Sequence, residues 1–89
     1  MKAIVTVVGK DQVGIIAGVC AHLASYNVNV LDISQTVMQG YFTMMMVVDT
    51  EKATVSLAEL AKLTEEKGKE MGLSIRLQRE DIFKAMHRV

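Results

Sequence analysis

The spacing of apolar residues changes repeatedly within the first 80 positions, and those changes limit the chain to very few folds. The run AIVTVV (3–8) is short, β-branched and apolar on both sides, as a central strand is. From Gly14 the spacing becomes helical. Ile16, Val19, Cys20 and Leu23 fall on one stripe, flanked by Ile15 and Tyr26. Gly14, Gly18, Ala21 and Ser25 form a second face of small residues that permits close approach. This predicts a helix of roughly 12 residues that stops at Asn27, a residue that tolerates the left-handed conformation at a helix C-terminus.

Two extended runs follow, VNVLDISQTVM (28–38) and YFTMMMVVD (41–49), joined at Gln39-Gly40 as a tight hairpin. The first alternates imperfectly. The second sets Phe42, Met44, Met46 and Val48 on one side and Tyr41, Thr43, Met45 and Val47 on the other. Ser56-x-x-Glu59 is a capping box, with Val55 and Leu60 placed as a hydrophobic staple. It opens a second helix whose inward stripe is Leu57, Leu60, Ala61, Thr64, Gly68 and Met71, and Gly72 closes it. LSIRLQRE (73–80) alternates cleanly, with Leu73, Ile75 and Leu77 inward. DIFKAMHRV (81–89) reads as a short C-terminal helix that Asp81 caps. The order β-α-β-β-α-β predicts an α+β, ferredoxin-like fold, a four-stranded antiparallel sheet with both helices on one face, in one domain spanning 1–89 with its core in about 1–80.

A chain of 89 residues has a modest core and gains from a partner subunit. Lys plus Arg equals Asp plus Glu at 10 each, so no net charge draws it to nucleic acid or to a membrane surface. Cys20 is the single cysteine, which excludes an intramolecular disulfide and a cysteine cluster for zinc; it reads as a buried thiol. No run is long and apolar enough for a membrane helix, and the N-terminus lacks a signal-peptide pattern. The expected location is cytoplasmic.

Between the first strand and first helix lies the loop GKDQVGII (9–16). Gly9-x-x-x-x-Gly14 matches the front of a phosphate-binding P-loop, but Ile15 and Ile16 stand where Lys and Ser/Thr would reach phosphates and magnesium. The dinucleotide fingerprint is absent as well. Acylphosphatases of the same topology need an arginine in this loop, and the loop offers only Lys10. Metal carriers of this fold place Cys-x-x-Cys there, and RNA-binding domains place aromatics on the central strands. The loop has no cysteine, the first strand has no aromatic, and of Tyr41 and Phe42 in the third strand only one can face outward. His22 and His87 have no evident Asp or Cys partner, so neither a catalytic set, a metal nor a cofactor is expected. Asp32, a carboxylate within a strand, reads either as an outward residue guarding a sheet edge or as a ligand or interface contact.

The stretch VTVVGKDQVGIIAGVCAHLASYNVNVLDISQTV resembles the first half of an ACT domain, whose loop has the form G-x-D-x-x-G-[IL] and whose second strand opens with N-[VI]-x. Gly9, Asp11, Gly14, Ile15, Asn27, Val28, Asn29 and Val30 fit, and the resemblance extends over roughly residues 1–80 of a small, single-domain protein. Many ACT loops carry Pro before the second glycine; Val13 stands there. The resemblance implies a regulatory homodimer that binds a small molecule, typically an amino acid, where two sheets join through their second strands. It also implies a separate regulated protein. The candidate ligand residues are Lys10, Asp11, Gln12, Val13, Gly14 and Ile15 in the loop, with Asn29 and Asp32 from the second strand. Helix-start amides around Gly14 and Ile15 suit a carboxylate. Asp11 would accept from an α-ammonium or cap the helix. The alternative is a structural or protein-interaction module of the same fold without a ligand.

Independently of the resemblance, the third strand is apolar on both sides while two helices cover one side only. Met45, Val47 and Ile4 or Val5 would form an apolar patch on the open side, which soluble monomers rarely show. The C-terminal helix is one candidate to cover it and a second copy is the other. Pairing through the second strand would also hide its unpaired backbone groups. A homodimer or larger homo-oligomer is the expectation.

Overall fold

The computed structural model describes residues 1–81. Its order is β1 (Lys2–Lys10), α1 (Ile15–Ser25), β2 (Asn29–Met38), β3 (Tyr41–Asp49), α2 (Leu57–Glu70) and β4 (Ser74–Arg79). The strands form one antiparallel sheet in the order β2-β3-β1-β4, the ferredoxin-like arrangement. The predicted C-terminal helix lies, beyond Asp81, outside the described residues. Asp81 itself receives a bidentate pair from Arg79, Nη2 to Oδ2 at 2.6 Å and Nε to Oδ1 at 3.1 Å.

Alternation decides which side of each strand is dry. Ala3, Val5 and Val7 of β1, Phe42, Met44, Met46 and Val48 of β3, and Ile75 and Leu77 of β4 are all buried beneath the helices. Ile4, not Val5, therefore faces the open side, with Val47 opposite it in the β1–β3 register. The hairpin turn has positive φ at both Gln39 (51°) and Gly40 (81°), the two-residue geometry whose twist matches its strands.

Both helices end in Schellman motifs. At α2, Leu73 N–H donates to the Gly68 carbonyl at 2.8 Å and Gly72, at φ 72°, donates to Lys69 at 3.1 Å. At α1, Val28 N–H donates to Leu23 and Asn27, at φ 61°, donates to Ala24, so Asn27 is the left-handed stop. Ser56 Oγ accepts from Glu59 N–H at 3.2 Å, which starts α2 as its capping box requires.

The stripe of α1 departs from the sequence expectation by one position. Ile15, Val19 and Leu23 are buried, Cys20 is half-buried, and Ile16 is 37% exposed. The left-handed turn at Gly14 starts the helix so that Ile15 points inward, and i, i+4 spacing carries the stripe from there. The small-residue face lets the helices meet. A Cβ on Gly18 would stand 2.8 Å from Met71 Cε, and His22 Nε2 lies 3.1 Å from Thr64 Oγ1 across the seam.

The imperfect alternation of β2 has a local cause. A β-bulge at Leu31 shifts the register between Val30 and Asp32. After it, Ile33, Gln35 and Val37 pair with Met46, Met44 and Phe42 and so share the helix side, while Asp32, Ser34, Thr36 and Met38 share the open side. Among the described residues neither α1 nor α2 extends over this end of the helix side, and Ile33 and Val37 are exposed.

Candidate functional site

The β1–α1 loop lies against the hairpin tip, because Asp11 N–H donates to the Gly40 carbonyl at 2.8 Å. Gln12 Nε2 donates to the Met71 carbonyl at 2.9 Å, so its amide ties the loop to the end of α2. Gly9 admits the close approach of Leu73, whose Cδ2 would stand 2.5 Å from a Cβ there. The loop is thus held from two sides.

Gly14 ends the loop at φ 89° and is the N-cap of α1, with no side chain capping the helix. That excludes the capping role weighed for Asp11. Its backbone is fixed to the hairpin three residues upstream, and its carboxylate makes no hydrogen bond or ion pair among the described residues. The first intrahelical bond runs from Gly18 N–H to the Gly14 carbonyl at 2.8 Å. The amides of Ile15, Ile16 and Ala17 have no partner within the helix, and they carry the positive end of its dipole. Nothing lies within 4 Å of a Cβ built on Gly14, so the helix mouth is open.

In front of that mouth a groove of about 390 Å³ runs between α1 and the uncovered helix side of β2. Asp11, Gln12, Gly14 and Ile15 line it, joined by Ile16, Ala17, Gln35, Val37 and Phe42. Among the described residues no cationic side chain lines it, so backbone amides are its positive element. The other candidates sit elsewhere in the chain. Val13 projects into solvent at the loop tip, and Lys10 pairs with Tyr41 at the end of β1. Asn29 pairs with Asp49 at the far end of β2 and borders a separate hollow with Asn27, Glu51 and Lys52. Asp32 is on the open side of the sheet, its Oδ1 accepting from Ile33 N–H at 2.9 Å.

Gln35, Val37, Phe42, Ile16 and Ala17 were not legible as lining residues. The signal for the β2 pair was the broken alternation itself, which marks the bulge that turns them toward α1.

His22 and Asp49 are perturbed titratable groups away from the groove. Burial, and secondarily the Lys67 ammonium, lower the pKa of His22, while Glu70 opposes them. The Glu51 amide bond holds the Asp49 carboxyl below its ordinary value, with help from the terminal ammonium 3.6 Å away. Among the described residues no group of three or more His, Cys, Asp or Glu is placed to hold a metal ion. Among the described residues no helix is long and apolar enough to cross a membrane.

The profile of the ACT domain matches residues 2–78. A UPF0237 protein of Clostridium acetobutylicum is 55% identical over 89 residues, covering 100% of both chains. A UPF0237 protein of Bifidobacterium longum is 54% identical over 88 residues, covering 99% of this chain and 98% of that one. Among solved structures, an ACT domain protein from Streptococcus pneumoniae superposes with a TM-score of 0.83 at 45% identity, covering 97% of each chain.

Proposed function

This chain belongs to the ACT domain family, whose members are generally regulatory ligand-binding domains, and from that premise we propose that it binds an amino acid in the groove between α1 and β2, as a homodimer that passes its state to a separate protein. The observation that carries the reading is the uncapped mouth of α1, open above Gly14 and facing a groove with an apolar wall. The ligand carboxylate takes the free amides of Ile15 and Ile16. Its ammonium pairs with the Asp11 carboxylate, and an apolar side chain lies against Ile16 and Val37. Gln12, already bonded to Met71, holds the loop in place.

Edge strand β2 supplies the dimer. Leu31, Ile33, Val37 and Met38 are exposed along it, and among the described residues no strand lies beside its outer backbone groups. Antiparallel pairing of two β2 strands about their midpoint sets residue 29 opposite residue 38. That brings Asn29 of the partner subunit toward the hairpin tip to which Asp11 is bonded. A ligand at this seam couples binding to assembly.

The test is a thermal-shift panel of the twenty amino acids, small carboxylates and nucleotides. A ligand at a hundred times its Kd adds about 2.7 kcal/mol of stability, several degrees or more in a domain of this size. Ala17→Leu fills the groove from an exposed helix position and should abolish the shift with little change in the unliganded Tm. A panel without any shift favours the structural or protein-interaction reading, and an undiminished shift in the Leu variant places the ligand elsewhere.

A further inference from the structure

We propose that the outer edge of β4, with the groove between it and α2, docks an extended acidic segment of another protein as a fifth strand. This rests only on the part of the proposed function in which a separate protein receives the signal; it needs neither the ligand nor the groove at Gly14. β4 ends the sheet, with β1 on its paired side. On such an edge every second residue directs its N–H and C=O away from the sheet, and among the described residues no strand takes them up. A groove of about 350 Å³ runs here, and its lining fixes its place. Leu73 and Ile75 are buried on the helix side, whereas Ser74 and Arg76, paired with Val8 and Thr6 of β1, are on the open side. A hollow bordered by side chains from both sides of one strand lies along the outer edge of that strand. Glu65 and Lys69 of α2 make its other wall.

The chemistry of this edge selects its occupant. A strand added beside β4 sets one side chain against Ile75, below α2, and sends the neighbours of that side chain to the open side, beside Ser74 and Arg76. The apolar floor of Leu73 and Ile75 takes an aliphatic side chain. Arg76 and Lys69 are exposed, and neither has an ion-pair partner among the described residues. Glu65 is the single acid of the lining, so the balance of charge favours a carboxylate next to that aliphatic residue. A second β4 strand fits badly, because SIRLQR carries two arginines and no acid, and like charges would meet across the seam. Pairing of two β2 strands leaves β4 outermost at both ends of the joined sheet, so the edge stays accessible in the homodimer.

Fluorescence anisotropy with two labelled heptapeptides, one of alternating Val and Glu and one of alternating Val and Lys, tests this on the full chain and on Arg76→Glu. The Glu peptide should bind the parent. Arg76→Glu should weaken that binding about tenfold and strengthen binding of the Lys peptide, and this exchange of preference separates a contact from damage to the fold. In amide NMR spectra the Glu peptide should shift residues 65–69 and 73–79 and leave β2 unmoved. Equal affinity of the two peptides for the parent, or shifts centred on β2, overturns the proposal. So does failure of both peptides to bind at millimolar concentration, which would leave Arg76 as a charge that only keeps other strands away. A change in the sedimentation mass of the protein itself in Arg76→Glu also overturns it, since a second copy then occupies the edge. The thermal-shift panel reads the ligand groove independently, so loss of this surface and loss of ligand binding are told apart.

Discussion

Replacing Gly68 with alanine sets two opposed effects against each other in the last turn of α2. In an isolated helix the change is favourable by about 1 kcal/mol, since glycine is the poorer helix former. Here the new Cβ would stand 2.7 Å from Ile75 Cγ1, 3.0 Å from Ile75 Cβ and 3.1 Å from the Leu73 carbonyl oxygen. Ile75 is buried and β-branched, so its Cβ and Cγ1 cannot swing aside. The Leu73 backbone is fixed by the Schellman bond back to Gly68 at 2.8 Å. Helix and strand must separate, and such overpacking costs about 1–3 kcal/mol, with further strain when backbone is involved. The net expectation is a loss of about 1–2 kcal/mol, a fall in Tm of roughly 4–16 °C for a domain this size. Urea unfolding of Gly68→Ala, Ile75→Ala and the double variant at one protein concentration measures it. Ile75→Ala removes the nearest atom, so the double variant should lose less than the sum of the singles, the sign of direct coupling. A Gly68→Ala protein as stable as the parent, or losses that simply add, would refute the close α2–β4 approach.

His22 gives a pH dependence with a definite sign. Its folded pKa lies below the ordinary 6.5, so the folded state favours the neutral ring. The stability it contributes is complete above 6.5, declines as pH falls from there through the folded pKa, and is constant below. Urea midpoints should therefore drop between pH 7.5 and 5, and His22→Gln should flatten that drop; an unchanged slope would assign it to other groups. At Gly14 no neighbour is within 4 Å of a Cβ, but φ is 89°, so Gly14→Ala should cost about 1–2 kcal/mol through backbone strain alone. Gly14→Asn should cost less, and equal losses measured by denaturant titration would contradict a left-handed origin.

The legible parts of this fold are those written in local chemistry. Ser56 and Glu59 start α2, Asn27 and Gly72 stop the two helices, and Gln39-Gly40 turns the hairpin. Each depends on a few neighbouring residues and on φ values that few side chains tolerate. The inward faces of β3 and β4 were legible too, because their alternation is unbroken. The face of α1 was not, since the one-position choice between Ile15 and Ile16 depends on the direction in which Gly14 leaves the loop. β2 was obscured for a similar reason. A bulge is one residue of register slip, and its position is fixed by pairing with β3, not by Leu31 itself.

The candidate site divides the same way. Gly9, Asp11, Gly14 and Ile15 announced a loop that opens a helix, because adjacent residues and the backbone freedom of glycine suffice to specify it. Which groups stand across from that helix mouth is a matter of long-range contact. Gln35, Val37 and Phe42 come from 20 or more residues away, carried there by sheet register. By itself the sequence determined element order, caps, turns and the class of the domain, all governed by interactions within a few residues. The tertiary structure alone decided that Asp11 leaves α1 uncapped, that Gln12 is bonded to the end of α2, and that Asn29 and Asp32 lie away from the loop. Those are settled by how strands pair and helices pack, which no local pattern encodes.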